Sequence, residues 1–442
     1  MDLVDELDPV TDVPVSIAEG IGGAAPATAE GLPATEAPLS LRANRDFRVV
    51  VLGQGISAVG DAVSATALPL LVLALTGSGL QMGVVAVLQR LPDLLLGLPA
   101  GAYADRWDRR RMMMWADAGR AVLTALVPLA SLLGVPVMGT VLLVAFPINA
   151  FRVVFMAGWT AAVPNLVERR QLARATGIFE ALGGASFIVG PAIAGILVAW
   201  IGAAPTLVVD AASFAVSAVS LTLVRRPLRR AERRPLMSLR HEMAEGVRFI
   251  LGHPVMRDLI GFWALVSLVS APIIEAAAYY LTIDRPFGPS GFGLILSAYS
   301  VGSLVGALLA GRIVRGSIAP HLLLGNLIVG VAVVGIALTT SLPVMAVLAV
   351  VAGTSQSIVL VAYVTVRAAS SPDELLGRVG STARTISVGI QPLGLLAGGI
   401  LLDVVHGAAT LLVIAVGTVL TSLVFAFSPG IRRAHAVVHD PH

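Results

Sequence analysis

Apolar residues in this chain come in blocks of roughly 20–25, each closed by glycine, proline or charged residues. A helix of that length crosses a hydrocarbon core of about 30 Å, and a helix satisfies its own backbone hydrogen bonds where water is absent. The blocks predict twelve spans, near 47–76, 80–103, 112–133, 138–162, 173–200, 204–224, 258–283, 290–314, 320–341, 343–367, 377–404 and 408–428. One long polar connection, 225–257, divides them six and six. The expected organisation is a leading segment 1–44, a six-helix bundle 45–225, a linker 226–256, a second bundle 257–428 and a tail 429–442. Residues 1–40 are rich in Ala, Pro, Glu and Asp and lack the basic start and apolar core of a signal peptide. They are expected to form a disordered cytoplasmic tail.

Charge alternates between the connections. One set carries Arg42, Arg45 and Arg48, then Arg106 to Arg111, Arg169, Arg170 and Arg174, the 225–257 block, Arg312 and Arg315, Arg367 and Arg378, and Arg432 and Arg433. The other set is short and nearly uncharged, broken only by Arg285. Basic loops stay on the cytoplasmic side, so a multi-pass protein of the cell membrane, inner membrane where there are two, is expected with both termini cytoplasmic. Within the linker, Leu239, Met243, Val247 and Ile250 recur at helical spacing opposite Arg240, Glu242, Glu245 and Arg248. That pattern fits an amphipathic helix on the inner leaflet or a solvated linker helix.

The halves repeat. A shift of 210 residues lays Gly83 on Gly293, Ala100 on Ala310 and Gly101 on Gly311; a shift of 204 lays Arg174 on Arg378, Gly190 on Gly394 and Gly195 on Gly399. The fold class is therefore an all-α polytopic membrane protein, twelve transmembrane helices in two pseudo-symmetric six-helix bundles, an arrangement that suits a secondary transporter.

Composition narrows the chemistry. Hydrophobic residues make up 56% and charged residues 13% of the chain, against about 25% charged in soluble domains. There is no cysteine, which excludes disulfides and thiolate chemistry. No lysine occurs, so all 30 basic residues are arginine, and their place in alternate loops speaks against a nucleic-acid surface. The seven histidines show no ligand spacing, no phosphate loop or catalytic triad is present, and the glycine pairs lie inside apolar helices. Neither enzyme activity, a metal nor a cofactor is expected. The partners expected are a small-molecule substrate, protons and lipid, with the chain acting as a monomer.

The loop after the second span reads Gly-Ala-Tyr-Ala-Asp-Arg-Trp-Asp-Arg-Arg-Arg over 101–111. It resembles the signature loop of the major facilitator superfamily, with matches at Gly101, Asp105, Arg106, Arg109 and Arg110, and with Asp108 where that family usually has glycine. The resemblance implies a cytoplasmic latch in which Asp105 meets the start of the eleventh span; a plain positive-inside anchor is the other reading. In the fifth span, Ser186, Gly190, Pro191 and Gly195 stand in a run similar to the antiporter motif of the same superfamily, and ordinary tight helix packing is the alternative. Pro69–Ser78, Val163–Val167, and Glu245–Phe249 with His253-Pro look like the exporter branch with macrolide, siderophore and multidrug efflux proteins.

Charges inside the spans each need a reason, because one at the bilayer centre costs at least about 2.5–3.5 kcal/mol. Arg90 with Asp93, and Asp117 with Arg120, are spaced to neutralise locally at i, i+3. Asp210 and Asp403 lie nearer the outer ends, within reach of water. Glu180 and Arg384 coincide under the 204 shift and are positioned to meet across the halves. Asp61, Arg152 and Glu275 remain. Asp61 is the expected proton carrier, with Glu275 a second carrier or substrate contact and Arg152 stabilising the deprotonated state; a permanent Asp61–Arg152 pair, with Glu275 bonded to backbone freed by Pro272, is the structural alternative. The superfamily pattern follows the fourth-span arginine with Gln-Gly, where this chain has Phe155 and Met156. Trp159, Tyr279, Tyr280, Tyr299 and Gln356 are candidates to line the cavity. The expected function is proton-coupled export, by antiport and alternating access, of small amphipathic molecules such as drugs. Import of a small nutrient, or a transport-inactive receptor or assembly factor on the same fold, are the alternatives.

Overall fold

The computed structural model of the protein describes residues 41, 43–104, 107–225, 239–314 and 319–437. These residues form α-helices and no strand. The first half holds α1 (Arg45–Thr76), α2 (Gly79–Ala104), α3 (Arg109–Leu132), α4 (Val137–Leu166), α5 (Leu172–Ile201) and α6 (Ala203–Thr222). The connecting helix α7 (Leu239–Gly252) follows. The second half holds α8 (Pro254–Ser270), α9 (Ile273–Tyr279) with a π turn at Tyr280–Asp284, α10 (Gly288–Ile313), α11 (Ala319–Leu338), α12 (Leu342–Ala369), α13 (Leu376–Ala426) and α14 (Pro429–Val437).

Ten segments among the described residues are long and apolar enough to cross a membrane. One is the bent span Pro254–Asp284. Another, α13, is two spans: within its 51 residues His406 takes φ 62 and ψ −179. The chain there squeezes past the π turn, with an added Cβ at Gly407 falling 2.7 Å from Tyr280 Cα. Asp284 then caps the second limb by accepting from Ala408 N at 2.9 Å. Helix α3 is 24 residues long, enough to span at 1.5 Å per residue. Its Arg109–Arg111 start, with Asp117 and Arg120, makes it less apolar, yet it packs between α4 and α6. With α3 included and α13 divided, the expected twelve are accounted for. The one exception to the charge alternation also finds its place: Arg285 Nε donates to Tyr280 Oη at 3.0 Å.

In the first half α1 packs on α5 and α6, α3 on α4 and α6, and α2 on α4; in the second, α10 and α11 pack on α12, and α8 and α11 on α13. The main packings between the halves are α5 on α10 and α2 on α13. These are mates under the repeat. A Cβ added to Gly195 would lie 2.6 Å from Pro289 O and 3.2 Å from Gly293 Cα, and one added to Gly83 would lie 2.6 Å from Leu395 O and 3.5 Å from Gly399 Cα. Two of the glycine matches, Gly83 with Gly293 and Gly195 with Gly399, thus mark where the backbones of the halves touch, as small residues allow in membrane packing.

Both crossings lie at the end with short loops, opposite the termini. There Asp403 of α13 receives the start of α2: Ser78 Oγ at 2.9 Å, Gly79 N at 2.5 Å and Leu80 N at 3.1 Å all donate to its carboxylate. A carboxylate at a helix N-terminus satisfies orphan N–H groups and meets the positive end of the dipole. Asp403 reaches solvent, as expected, and also clamps the two halves.

The expected tail 429–442 begins as α14, tied to α8 through Asp258, which accepts from Ser428 Oγ and from Gly430 N at 2.9 Å. The linker helix docks on α13, with Glu245 paired to Arg378 and Ile250 buried; Leu239, Arg240, Glu242 and Met243 have no described side chains. The leading segment lies outside the described residues, apart from Leu41, Ala43 and Asn44, whose side chain caps α1.

Asp403→Ala is expected to loosen the short-loop end. The chain has no native cysteine, so a single Leu402→Cys reporter, buried against Gly79, reads this directly. Maleimide labelling in vesicles should quicken several-fold when Asp403 is removed; equal rates would show the clamp to be dispensable.

Candidate functional site

Midway through the first bundle, three carboxylates surround one guanidinium. Arg120 of α3 pairs with Asp61 of α1 and lies 3.6 Å from Asp117 on its own helix. Its guanidinium carbon stands 3.7 Å over the Phe214 ring of α6. Asp117 accepts from Ser217, whose hydroxyl takes a bond from Gln54 at 2.7 Å. Asp210 of α6 accepts from Ser213 at 3.3 Å. Gly60 lets α6 come this close, since a Cβ there would fall 2.8 Å from Asp210 Oδ1. Asp117 is 0% and Asp210 3% exposed, whereas the Asp61 side chain is 41% exposed. Asp117 Oδ1 and Arg120 Nε have no hydrogen-bond partner.

This geometry corrects two expectations. Asp61 pairs with Arg120 rather than Arg152, because the α1, α3 and α6 contacts bring Arg120 to it. Asp210 does not reach water; it is packed beneath α1.

A second set joins α2 and α4. Arg152 of α4 pairs with Asp93 of α2 and donates from Nε to Asn149 Oδ1 at 3.2 Å. The expected Arg90–Asp93 pair is replaced by this bond between helices. A cavity of about 490 Å³ opens here between α2, α4 and the first limb of α13, lined by Asp93, Arg152 and Arg384 among apolar and hydroxyl side chains. Glu180 and Arg384 are both exposed and form no ion pair with each other: Arg384 faces the cavity, and Glu180 is not part of its lining.

Glu275 is buried just past the Pro272 break, and its Oε2 has no hydrogen-bond partner. Arg90, on α2, acts on it electrostatically. Tyr280 is fully buried and donates to the Ala337 carbonyl at 3.0 Å, so it supports structure rather than lining a cavity. Trp159 stacks on Phe155 and meets Phe179 edge-on.

In the 101–111 loop, Asp105 and Arg106 lie outside the described residues, and Gly101 is in the last turn of α2. Arg109 donates to Ala161 O at 2.9 Å, and Arg110 to Leu221 O at 2.8 Å and to Thr222 O. These arginines thus bind carbonyls of their own half, two of them at the C-terminus of α6, where cations are favoured. In the fifth-span motif, Ser186 Oγ folds back to Leu182 O at 2.8 Å. Gly190 faces Ala62 of α1, while Pro191 and Gly195 face Gly293 of α10.

A family model described as transmembrane secretion effector matches residues 34–439. The chain belongs to this family of the major facilitator superfamily. Its relatives are transporters. The chain is 31% identical over 387 residues to the multidrug efflux pump Tap of Mycolicibacterium fortuitum, covering 85% of this chain and 93% of the relative. It is 26% identical over 271 residues to macrolide efflux protein A of Streptococcus pyogenes, covering 60% and 66%. It is 27% identical over 281 residues to enterobactin exporter EntS of Citrobacter koseri, covering 62% and 65%. In fold it is similar to a bacterial homologue of the lysosomal transporter Spinster in an inward-facing conformation, with TM-score 0.69 and 17% identity over 89% of this chain and 98% of that one. A bacterial homologue of the iron transporter ferroportin, also inward-facing, gives TM-score 0.66 and 19% identity over 86% and 98%. The protein is thus a multi-pass membrane transporter with efflux pumps among its relatives.

Removing one partner of a buried ion cluster costs about 3–5 kcal/mol, because the others are left uncompensated. Arg120→Gln in this transporter is expected to lower the thermal unfolding midpoint strongly, and adding Asp117→Asn should recover part of the loss. A double variant no more stable than the single one would dissociate Asp117 from the cluster.

Proposed function

We propose that the protein is a proton-coupled exporter of small amphipathic molecules, working by alternating access. The observation that carries this reading is the set of three carboxylates around Arg120. Fully ionised, Asp61, Asp117 and Asp210 with one guanidinium hold two surplus negative charges in the membrane interior, where uncompensated charge is expensive. Bound protons balance them. Asp61 is the accessible member and exchanges its proton; Asp117 holds Arg120, with the Asp210 charge nearby, so that the guanidinium can release and recapture Asp61.

The basic loops lie at the end bearing the termini, which supports termini inside the cell. The cavity then opens to the cytoplasm, and the glycine crossings with the Asp403 clamp close the outer side. Rocking the halves would reverse this. One proton moving inward down 100 mV supplies about 2.3 kcal/mol. At about 1.4 kcal/mol per tenfold, that sustains roughly a forty-fold gradient of a neutral substrate. The names of the relatives, which include a multidrug pump, a macrolide efflux protein and an enterobactin exporter, support export.

The test uses purified protein in vesicles with an imposed pH gradient and an amphipathic dye. Asp61→Asn is expected to reduce gradient-driven dye accumulation at least tenfold while leaving gradient-free exchange in place. Undiminished accumulation in the variant would remove Asp61 from the coupling route.

A further inference from the structure

One charge in the cavity is left without a neutraliser. Asp93 and Arg152 satisfy each other across α2 and α4. Arg384, reaching the cavity from the opposite half, has no carboxylate in ion-pair range and no hydrogen-bond partner among the described residues. It lies eight residues into α13, about 12 Å along the helix at 1.5 Å per residue. A guanidinium at such a depth attracts an anion, and its planar fork suits a carboxylate or sulfonate bidentately. The space around it, about 490 Å³, is the size of a drug-binding site. Leu94, Val153, Met156 and Val388 give it apolar walls, and Thr385 and Ser381 add hydroxyls beside the arginine. The cavity's only acid in this lining, Asp93, is already held by Arg152 and is not offered to a cation. The equivalent position in the first half is Glu180 under the 204 shift, so the site is not duplicated by the repeat.

The geometry points to Arg384 as the anchor for the acidic group of an amphipathic substrate, with the substrate's apolar rings resting on Leu94, Met156 and Val388. This rests on the export reading and narrows its substrate class to molecules bearing a carboxylate, sulfonate or similarly acidic group. It is independent of how transport is driven.

Two dyes on one xanthene frame separate charge from shape: fluorescein, an anion, and rhodamine 6G, a cationic ester. Binding of each to the full-length protein in neutral detergent is read by fluorescence anisotropy, without any gradient. Loss of proton coupling in Asp61→Asn therefore does not disturb the measurement. Fluorescein is expected to bind more tightly than rhodamine 6G. Arg384→Gln should weaken fluorescein at least tenfold and change rhodamine 6G less than twofold, and Arg384→Lys should keep most of the fluorescein affinity. Equal losses for both dyes, or no loss for fluorescein, would overturn the assignment. Displacement of fluorescein by phosphatidylglycerol and not by phosphatidylcholine would overturn it in favour of a lipid-headgroup site.

Discussion

A charge carried into hydrocarbon must bring its neutraliser with it, because no water is present to solvate it. In this protein that requirement joins helices. Arg120 ties α3 to α1 and stacks on Phe214 of α6, while Asp117 beside it accepts from Ser217 of α6. The Arg152–Asp93 pair ties α4 to α2. Arg378 ties the linker helix to α13. None of these bonds runs from one half to the other, and among the described residues no ion pair joins the two halves. What joins them is backbone against backbone at glycines, with the Asp403 clamp beside it. Charges tie helices together within the first bundle and fasten the linker helix to the second, while the contact between bundles is made of small residues and hydrogen bonds, which can part without stranding a buried ion. Rigid-body rocking is the motion such a division allows.

Function enters where the repeat breaks. The glycine crossings are symmetric, with Gly83 matched by Gly293 and Gly195 by Gly399. The clamp is not. Under the 204 shift Asp403 falls on Ala199, and among the described residues the second crossing has Ser290 Oγ donating to Gly195 O at 3.4 Å in place of a carboxylate clamp. The charged cluster belongs to the first bundle, and Arg384 to the second. A symmetric frame thus carries the motion, and single residues that depart from it give each half a separate task.

The frame was readable from the sequence because its signals are local. Membrane-length apolar blocks, alternating basic loops and glycines at fixed shifts need no knowledge of neighbouring helices. Among the charge partners, only Asp117 beside Arg120 at i, i+3 was readable in that way. Spacing at i, i+3 put Arg90 with Asp93, yet the α2–α4 contact brings Arg152 to that acid instead. Mid-span depth put Asp61 beside Arg152, but depth does not say which helix stands next to α1, and the answer is α6 backed by α3. Asp210 was misplaced for a related reason: its position near a helix end hides that Gly60 lets α6 lie against α1 and bury it. Sequence distance locates a charge along the membrane normal, and only tertiary packing locates it in the plane.

The scale of the clamp sets a condition on any transport cycle. Hydrogen bonds to a charged group contribute about 1.5–3 kcal/mol each, so the three at Asp403 are worth several kcal/mol at most, and less where solvent competes. A proton moving down 100 mV supplies about 2.3 kcal/mol, and moving a two-state equilibrium from 1:99 to 99:1 takes about 5.5 kcal/mol. On the proposed cycle, then, a clamp much stronger than this would trap the protein with its short-loop end closed. One carboxylate receiving backbone N–H groups at the surface, rather than a buried ion pair, keeps closure within the range that one or two protons and a bound substrate can reverse.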